Sequence, residues 1–202
     1  MEEIRGLVLG NSNAAYAFLE KELSIPFINL SVPSQDLYYE YQVFCKCIRR
    51  YSKLLRNLEY IIIDLYDYIE INEPLSAYLL NGSIVNNRYD STIYENKIIL
   101  ENFIREIREW NPHMKIILTL IPRYITMERI TEQILLSWKI EFLNIVKRFC
   151  DQYNLYFFNY KYKKEISENH IFYADIQHMN TIGGKALSAI LDEDLKKLDI
   201  SS

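Results

Sequence analysis

Short apolar runs alternate with longer stretches of helical periodicity along this chain. The runs are Ile4 to Leu9, Phe27 to Leu30, Glu59 to Leu65, Lys115 to Ile121 and Leu155 to Asn159. Each is strand-length and bounded by a breaker: Gly10 closes the first, and Pro122 ends the fourth. The third run, Tyr60-Ile61-Ile62-Ile63, is apolar on both faces, as a central parallel strand requires. Between the runs, apolar residues recur at helical spacing. The pattern predicts helices over Ala14 to Leu23, capped by Ser12 or Asn13, and over Asp36 to about Leu58. In the second of these, Leu37, Tyr41, Phe44, Ile48, Tyr51 and Leu55 share a stripe. Further helices are predicted over Ile93 to Trp110, stopped by Asn111-Pro112, and over Thr131 to Tyr153. The last is expected from a Thr181 cap to about Leu198. Residues 69 to 92, with Pro74, Asn81-Gly82 and Asn86-Asn87, read as a long irregular excursion with one helical turn near Leu75 to Leu80; loops of that length often serve as lids. Strand and helix thus alternate five times, which predicts βαβ units and a parallel sheet covered on both faces.

Composition narrows the function classes. A chain of 202 residues, half of them apolar and a quarter charged, is expected to be one domain spanning 1–202 with a full-sized core. A net charge of −4 attracts neither nucleic acid nor anionic lipid, so no nucleic-acid partner is expected. No apolar run is long enough to span a bilayer. Met1-Glu2-Glu3-Ile4-Arg5 lacks the basic and apolar segments of a signal peptide, so the expected address is the cytoplasm. Cys45, Cys47 and Cys150 have no zinc-type spacing and read as reduced core thiols. No metal or cofactor is implied. The 17 tyrosines reflect biased composition, or else a surface for sugar rings. Tyr38, Tyr39 and Tyr41 run along one helix and suit half-buried packing with wet hydroxyls.

In parallel sheets ligands bind beyond the carboxyl ends of the strands. Ser12 follows the first strand, Ser31 to Ser34 the second, Tyr66 to Tyr68 the third, and Asp175 and His178 the fifth, so the candidates converge on one edge. Serine, histidine and aspartate are the parts of an activated nucleophile: the hydroxyl attacks, the imidazole takes its proton, and the carboxylate orients the imidazole. On its own, without His178, Ser12 reads as a plain helix cap. Of the other two histidines, His113 is expected on the opposite edge, and His170 lies eight residues before His178. Asp64, Asp67, Glu70 and Glu73 read as a solvated acidic loop. Gly183-Gly184 lacks the surroundings of a phosphate loop and reads as close helix–sheet packing.

Two motifs carry a resemblance. Gly10-Asn11-Ser12 after the first strand resembles the Gly-Asp-Ser turn of the SGNH hydrolases, the GDSL-like esterases. Asp175-Ile176-Gln177-His178-Met179-Asn180 resembles their Asp-x-x-His motif ahead of the final helix. Asn29 to Leu37 is similar to subgroups found with cell-surface polysaccharide genes. The resemblance implies a flavodoxin-like three-layer α/β/α sandwich with a five-stranded parallel sheet. It also implies a serine esterase or acyltransferase without cofactor, acting on small O-acyl groups, O-acetyl foremost, of a carbohydrate. Ser12, His178 and Asp175 would be its catalytic residues. Asn11, Ser31, Ser34, Gln35, Tyr66 and Tyr68 would bind substrate or oxyanion. The family's second motif supplies a glycine N–H; Ser31 or Ser34 occupies that region. Its third motif, Gly-x-Asn-Asp, supplies an asparagine donor, whereas Asp64-Leu65-Tyr66-Asp67-Tyr68 has neither glycine nor asparagine. Loss of one oxyanion donor typically costs about 100- to 1,000-fold in rate. Gln35 or a tyrosine hydroxyl then substitutes, or the site is slow, or the chain is a non-catalytic relative that binds a glycan or a partner in polysaccharide assembly.

Overall fold

A computed structural model describes residues 3–65 and 86–200, with the side chains of 86–95, 130–139 and 141 left aside. Strands β1 (Gly6–Leu9), β2 (Phe27–Asn29), β3 (Tyr60–Asp64), β4 (Lys115–Leu120) and β5 (Tyr156–Asn159) form one all-parallel sheet in the order β2-β1-β3-β4-β5. The helices are α1 (Ser12–Ala17), α2 (Leu37–Tyr51), α3 (Asn86–Trp110), α4 (Ile125–Tyr153), α5 (Lys164–Ser167) and α6 (Thr181–Ile200). This is the flavodoxin-like order, with its switch point between β1 and β3.

Alternation along the strands builds two cores. Leu7, Leu9, Ile61, Ile63, Ile116 and Leu118 point to one face and meet Phe44 of α2, Phe103 of α3 and Phe149 of α4. Val8, Tyr60, Ile62 and Ile117 point to the other and meet Ala14 and Ala17 of α1 and Leu187, Leu191 and Leu195 of α6. Ile61, Ile62 and Ile63 are fully buried, and each contributes about 1.5–3 kcal/mol by leaving water. The thiols sit in the helical layer as free cysteines; burial raises all three, Cys150 to about 11. Among the described residues no helix is long and apolar enough to cross a membrane.

Strand positions match the apolar runs to within a residue or two, but helix ends move. α1 stops at Ala17 instead of reaching Leu23, because tertiary partners take its terminal groups. Asn29 Nδ2 donates to the carbonyls of Ala14 and Phe18, at 3.0 and 2.8 Å. Ser188 Oγ donates to Ala17 O and accepts from the Leu19 N–H. α2 ends at Tyr51, after which Leu55 and Leu58 turn back into the core. α3 begins earlier than expected, at Asn86, and α4 at Ile125 instead of Thr131. Most of residues 69–92, with Asp67, Glu70 and Glu73, lie outside the described residues.

Candidate active site

Gly10 ends β1 at a point of close approach. A Cβ there would stand 2.6 Å from Ala14 Cβ and 2.9 Å from Asp64 Cβ. Asn11 follows in extended backbone, and its Oδ1 accepts the Asn13 N–H at 2.8 Å, so Asn11 is the N-cap of α1, in place of Ser12 or Asn13. Ser12 is released from capping and becomes the first helical residue. Its Oγ lies 2.9 Å from Nε2 of His178, a residue 166 positions later.

His178 is held by a small, self-bonded loop. Ala174 N–H donates to His178 O, and Tyr173 and Met179 form an antiparallel bridge. Asp175 Oδ1 accepts the N–H groups of Gln177 and His178 at 2.7 and 2.8 Å. Asp175 Oδ2 lies 2.9 Å from His178 Nδ1. A carboxylate only accepts, so Nδ1 carries a proton, and in the neutral tautomer that this selects, the Nε2 lone pair faces the Ser12 hydroxyl. Burial alone would raise the Asp175 carboxyl. Hydrogen bonds from the His178 ring and from the two N–H groups outweigh it, and its pKa lies below the ordinary value.

α6 brings the two ends of the chain together. Asn180 caps it, in place of Thr181: Oδ1 accepts from Ile182 and Gly183 N–H, while Nδ2 donates to Ile171 O and Tyr173 O. The two glycines pack against α1 and the His170–Phe172 turn, not the sheet. A Cβ on Gly183 would stand 2.1 Å from Phe172 O, and one on Gly184 2.5 Å from Tyr16 O. One turn of α6 therefore touches both the helix that bears Ser12 and the turn that leads to His178.

Of the other candidates, Ser31 is half-buried beside Gly10, and its N–H is taken by Asn29 Oδ1 at 3.0 Å. Ser34 is exposed, with φ 63° in the left-handed region where glycine is the usual residue. Gln35 is buried, and its Nε2 has no hydrogen-bond partner among the described residues. Tyr66 and Tyr68 lie outside the described residues. His113 stands exposed at the amino edge of the sheet, just before β4, and His170 is exposed in its turn.

Sequence reasoning missed a buried charge cluster at the same carboxyl edge. Arg123, three residues past β4, lies 3.3 Å from Glu128 on α4, and Lys161, two residues past β5, lies 2.9 Å from Glu128. All three are more than nine-tenths buried. Burial lowers the Arg123 guanidinium to about 10, against the opposing pull of Glu128 and of Asp64 at the end of β3. Tyr173, which donates to Pro122 O, joins this cluster to the histidine loop. The available signal was charge placed immediately after a strand end. Tyr16, on α1, was also passed over; its ring meets the His178 imidazole edge to face, with centroids 5.6 Å apart.

No family model and no curated protein matches the sequence. Solved structures do match in fold. The psychrotrophic esterase EstA from Pseudoalteromonas sp. superposes with a TM-score of 0.62 at 13% identity, covering 96% of this chain and 97% of that one. A lipase/acylhydrolase from Enterococcus faecalis gives 0.60 at 16% identity, with 96% of each chain covered. A peptidoglycan O-acetylesterase gives 0.54 at 12% identity over 88% of this chain and 48% of its own. The five-stranded parallel sheet with helices on both faces is thus the fold of the SGNH-type esterases and acylhydrolases, shared with these structures at 13–16% sequence identity.

Proposed function

We propose that this chain is a serine ester hydrolase or acyltransferase. The observation that carries the reading is an unbroken relay, with Asp175 Oδ2 to His178 Nδ1 and His178 Nε2 to Ser12 Oγ both at 2.9 Å. In the first half-reaction Ser12 Oγ bonds to the acyl carbon while its proton moves to Nε2. The tetrahedral oxyanion then collapses, the ester C–O bond breaks, and the alcohol leaves with the proton from the imidazolium. Water or a sugar hydroxyl reverses these steps and takes the acyl group. Asp175 holds the ring in the tautomer that can accept.

The Ser12 N–H and one further backbone N–H would hold the oxyanion. The Ser31 N–H is engaged by Asn29, so Ser34 is the donor we assign; its left-handed backbone is one that glycine adopts most readily. Gln35 Nε2, buried without a partner among the described residues, is the side-chain donor we assign in place of the absent asparagine. The substrate class, an O-acetyl group on a carbohydrate, is supported by the polysaccharide-type stretch from Asn29 to Leu37 and by the likeness to a peptidoglycan O-acetylesterase.

Turnover of p-nitrophenyl acetate tests the reading. The parent protein is expected to hydrolyse it, and Ser12→Ala to lose at least ~1,000-fold. An unchanged rate in Ser12→Ala overturns the mechanism, and absence of turnover in the parent favours the non-catalytic binder.

A further inference from the structure

Tyr16 is the one aromatic ring in contact with the His178 imidazole among the described residues, and it has no part in the hydrogen-bond relay. It lies four residues after Ser12 on α1, so both side chains leave the same face of the helix. Helical side chains lean toward the N-terminus, which tilts the Tyr16 ring back toward Ser12. The ring is nevertheless 48% exposed. A large aromatic side chain ordinarily hides more of itself, and this one stands open beside the general base.

The chemistry of ester cleavage assigns that space. The departing alcohol oxygen must receive its proton from Nε2, so it sits within hydrogen-bond reach of that atom. The carbon skeleton attached to it then leaves from beside the imidazole, against which the Tyr16 ring packs. Tyr16 borders this route. Ile176 and Ile182, two residues before and four after His178 in sequence, are also exposed.

Resting on the ester-hydrolase reading, we propose that Tyr16 is the floor of a leaving-group subsite that takes a pyranose ring. The surface is open and carries a phenol hydroxyl at its rim, which suits a ligand with an apolar C–H face and a polar edge. A stacked sugar offers both; a short alkyl alcohol has C–H groups but neither a ring-sized face nor a polar edge.

The experiment compares two acetates with the same acyl group, methyl 6-O-acetyl-glucopyranoside and ethyl acetate, in the parent, Tyr16→Phe and Tyr16→Ala. Circular dichroism checks that the variants fold. The ratio of kcat/KM for the sugar ester to that for ethyl acetate is expected to fall about 5- to 10-fold in Tyr16→Ala, through KM, and less than about 3-fold in Tyr16→Phe. An unchanged ratio, whether both rates fall together or neither does, overturns the subsite: Tyr16 would then only brace His178. A second arm uses saturation-transfer NMR of the same sugar ester with Ser12→Ala. Signal that survives in Ser12→Ala/Tyr16→Ala also overturns the subsite. A parent without any turnover but with Tyr16-dependent sugar signal overturns the hydrolase reading while upholding the subsite.

Discussion

Asp175 shows how much a single carboxylate organises. One oxygen accepts two backbone N–H groups and so shapes the loop; the other selects the histidine tautomer. Asp175→Asn separates these tasks. An amide oxygen can still accept from the loop, but an amide turned to offer its NH2 to Nδ1 favours the wrong tautomer. Esterase kcat is expected to drop roughly 10³- to 10⁴-fold with little change in melting temperature, as steady-state kinetics and thermal unfolding would show. Ser34 poses a different question, because its backbone and not its side chain is at issue. Its φ of 63° is costly for a β-branched residue and free for glycine. Ser34→Gly is expected to retain activity with stability within about 0.5 kcal/mol of the parent, and Ser34→Val to lose about 1–2 kcal/mol in urea unfolding and to lose activity with it. That Ser12, His178 and Asp175 come within hydrogen-bond reach was legible in the sequence from two motifs, Gly10-Asn11-Ser12 and Asp175-x-x-His178, set after strands on one edge of the sheet. The caps were less legible. Asn11 and Asn180 each stand beside a serine or threonine able to do the same work, and only the folded backbone decides between them.

The strands could be read from the sequence to within a residue or two, since continuous apolar runs leave a buried strand few alternatives. Helix ends could not. Asn29 and Ser188, remote in sequence, take the terminal groups of α1, and a lone chain carries no sign of that. Nor does it show that Arg123, Glu128 and Lys161 meet, because their separations follow from the order of the strands. These ions lock the start of α4 to the ends of β4 and β5. Removing the shared anion takes one ion-pair partner from each of two buried cations, and breaking a buried pair typically costs about 3–5 kcal/mol. Glu128→Gln is accordingly expected to destabilise the protein by roughly 3 kcal/mol in urea titration. The glycines of α6 act at the same scale. In Gly183→Ala the new methyl meets the Phe172 backbone carbonyl at 2.1 Å, and backbone yields less easily than a side chain. We expect about 1–3 kcal/mol of destabilisation, and a fall in kcat because the displaced turn leads directly to Asp175 and His178.

α6 links the two edges of the sheet. At 20 residues it is about 30 Å long, enough to run from the carboxyl edge, where Asn180 caps it beside the histidine loop, to the amino edge. There Asp199 pairs with Lys115 at 2.8 Å and accepts a hydrogen bond from the Tyr60 hydroxyl. Midway, Asp192 accepts from Ser24 N–H and Oγ and pairs with Lys196. Burial opposes ionisation of both carboxylates, but these partners outweigh it, so both pKa values lie below the ordinary range, as does that of Asp175. A depressed carboxyl contributes stability that is present above its unfolded pKa, about 3.9, and lost as pH falls through the folded value. Tyr60, Tyr160 and Tyr173 shift the other way, upward, chiefly through burial. Their contribution is present below the unfolded tyrosine pKa of about 10 and is lost as pH rises through the folded values. Unfolding free energy is therefore expected to be level between about pH 5 and 9 with respect to these groups, and to fall on both sides. Urea titrations across pH 3–11 check the shape. Asp192→Asn and Asp199→Asn should lower the plateau and flatten the acid limb, and Tyr60→Phe should flatten the alkaline one. Because the same helix seats the Asp175–His178 loop against α1, far-UV signal and residual esterase activity after a brief acid pulse should decline together; activity lost well before helix signal would place the acid-sensitive step in the loop alone.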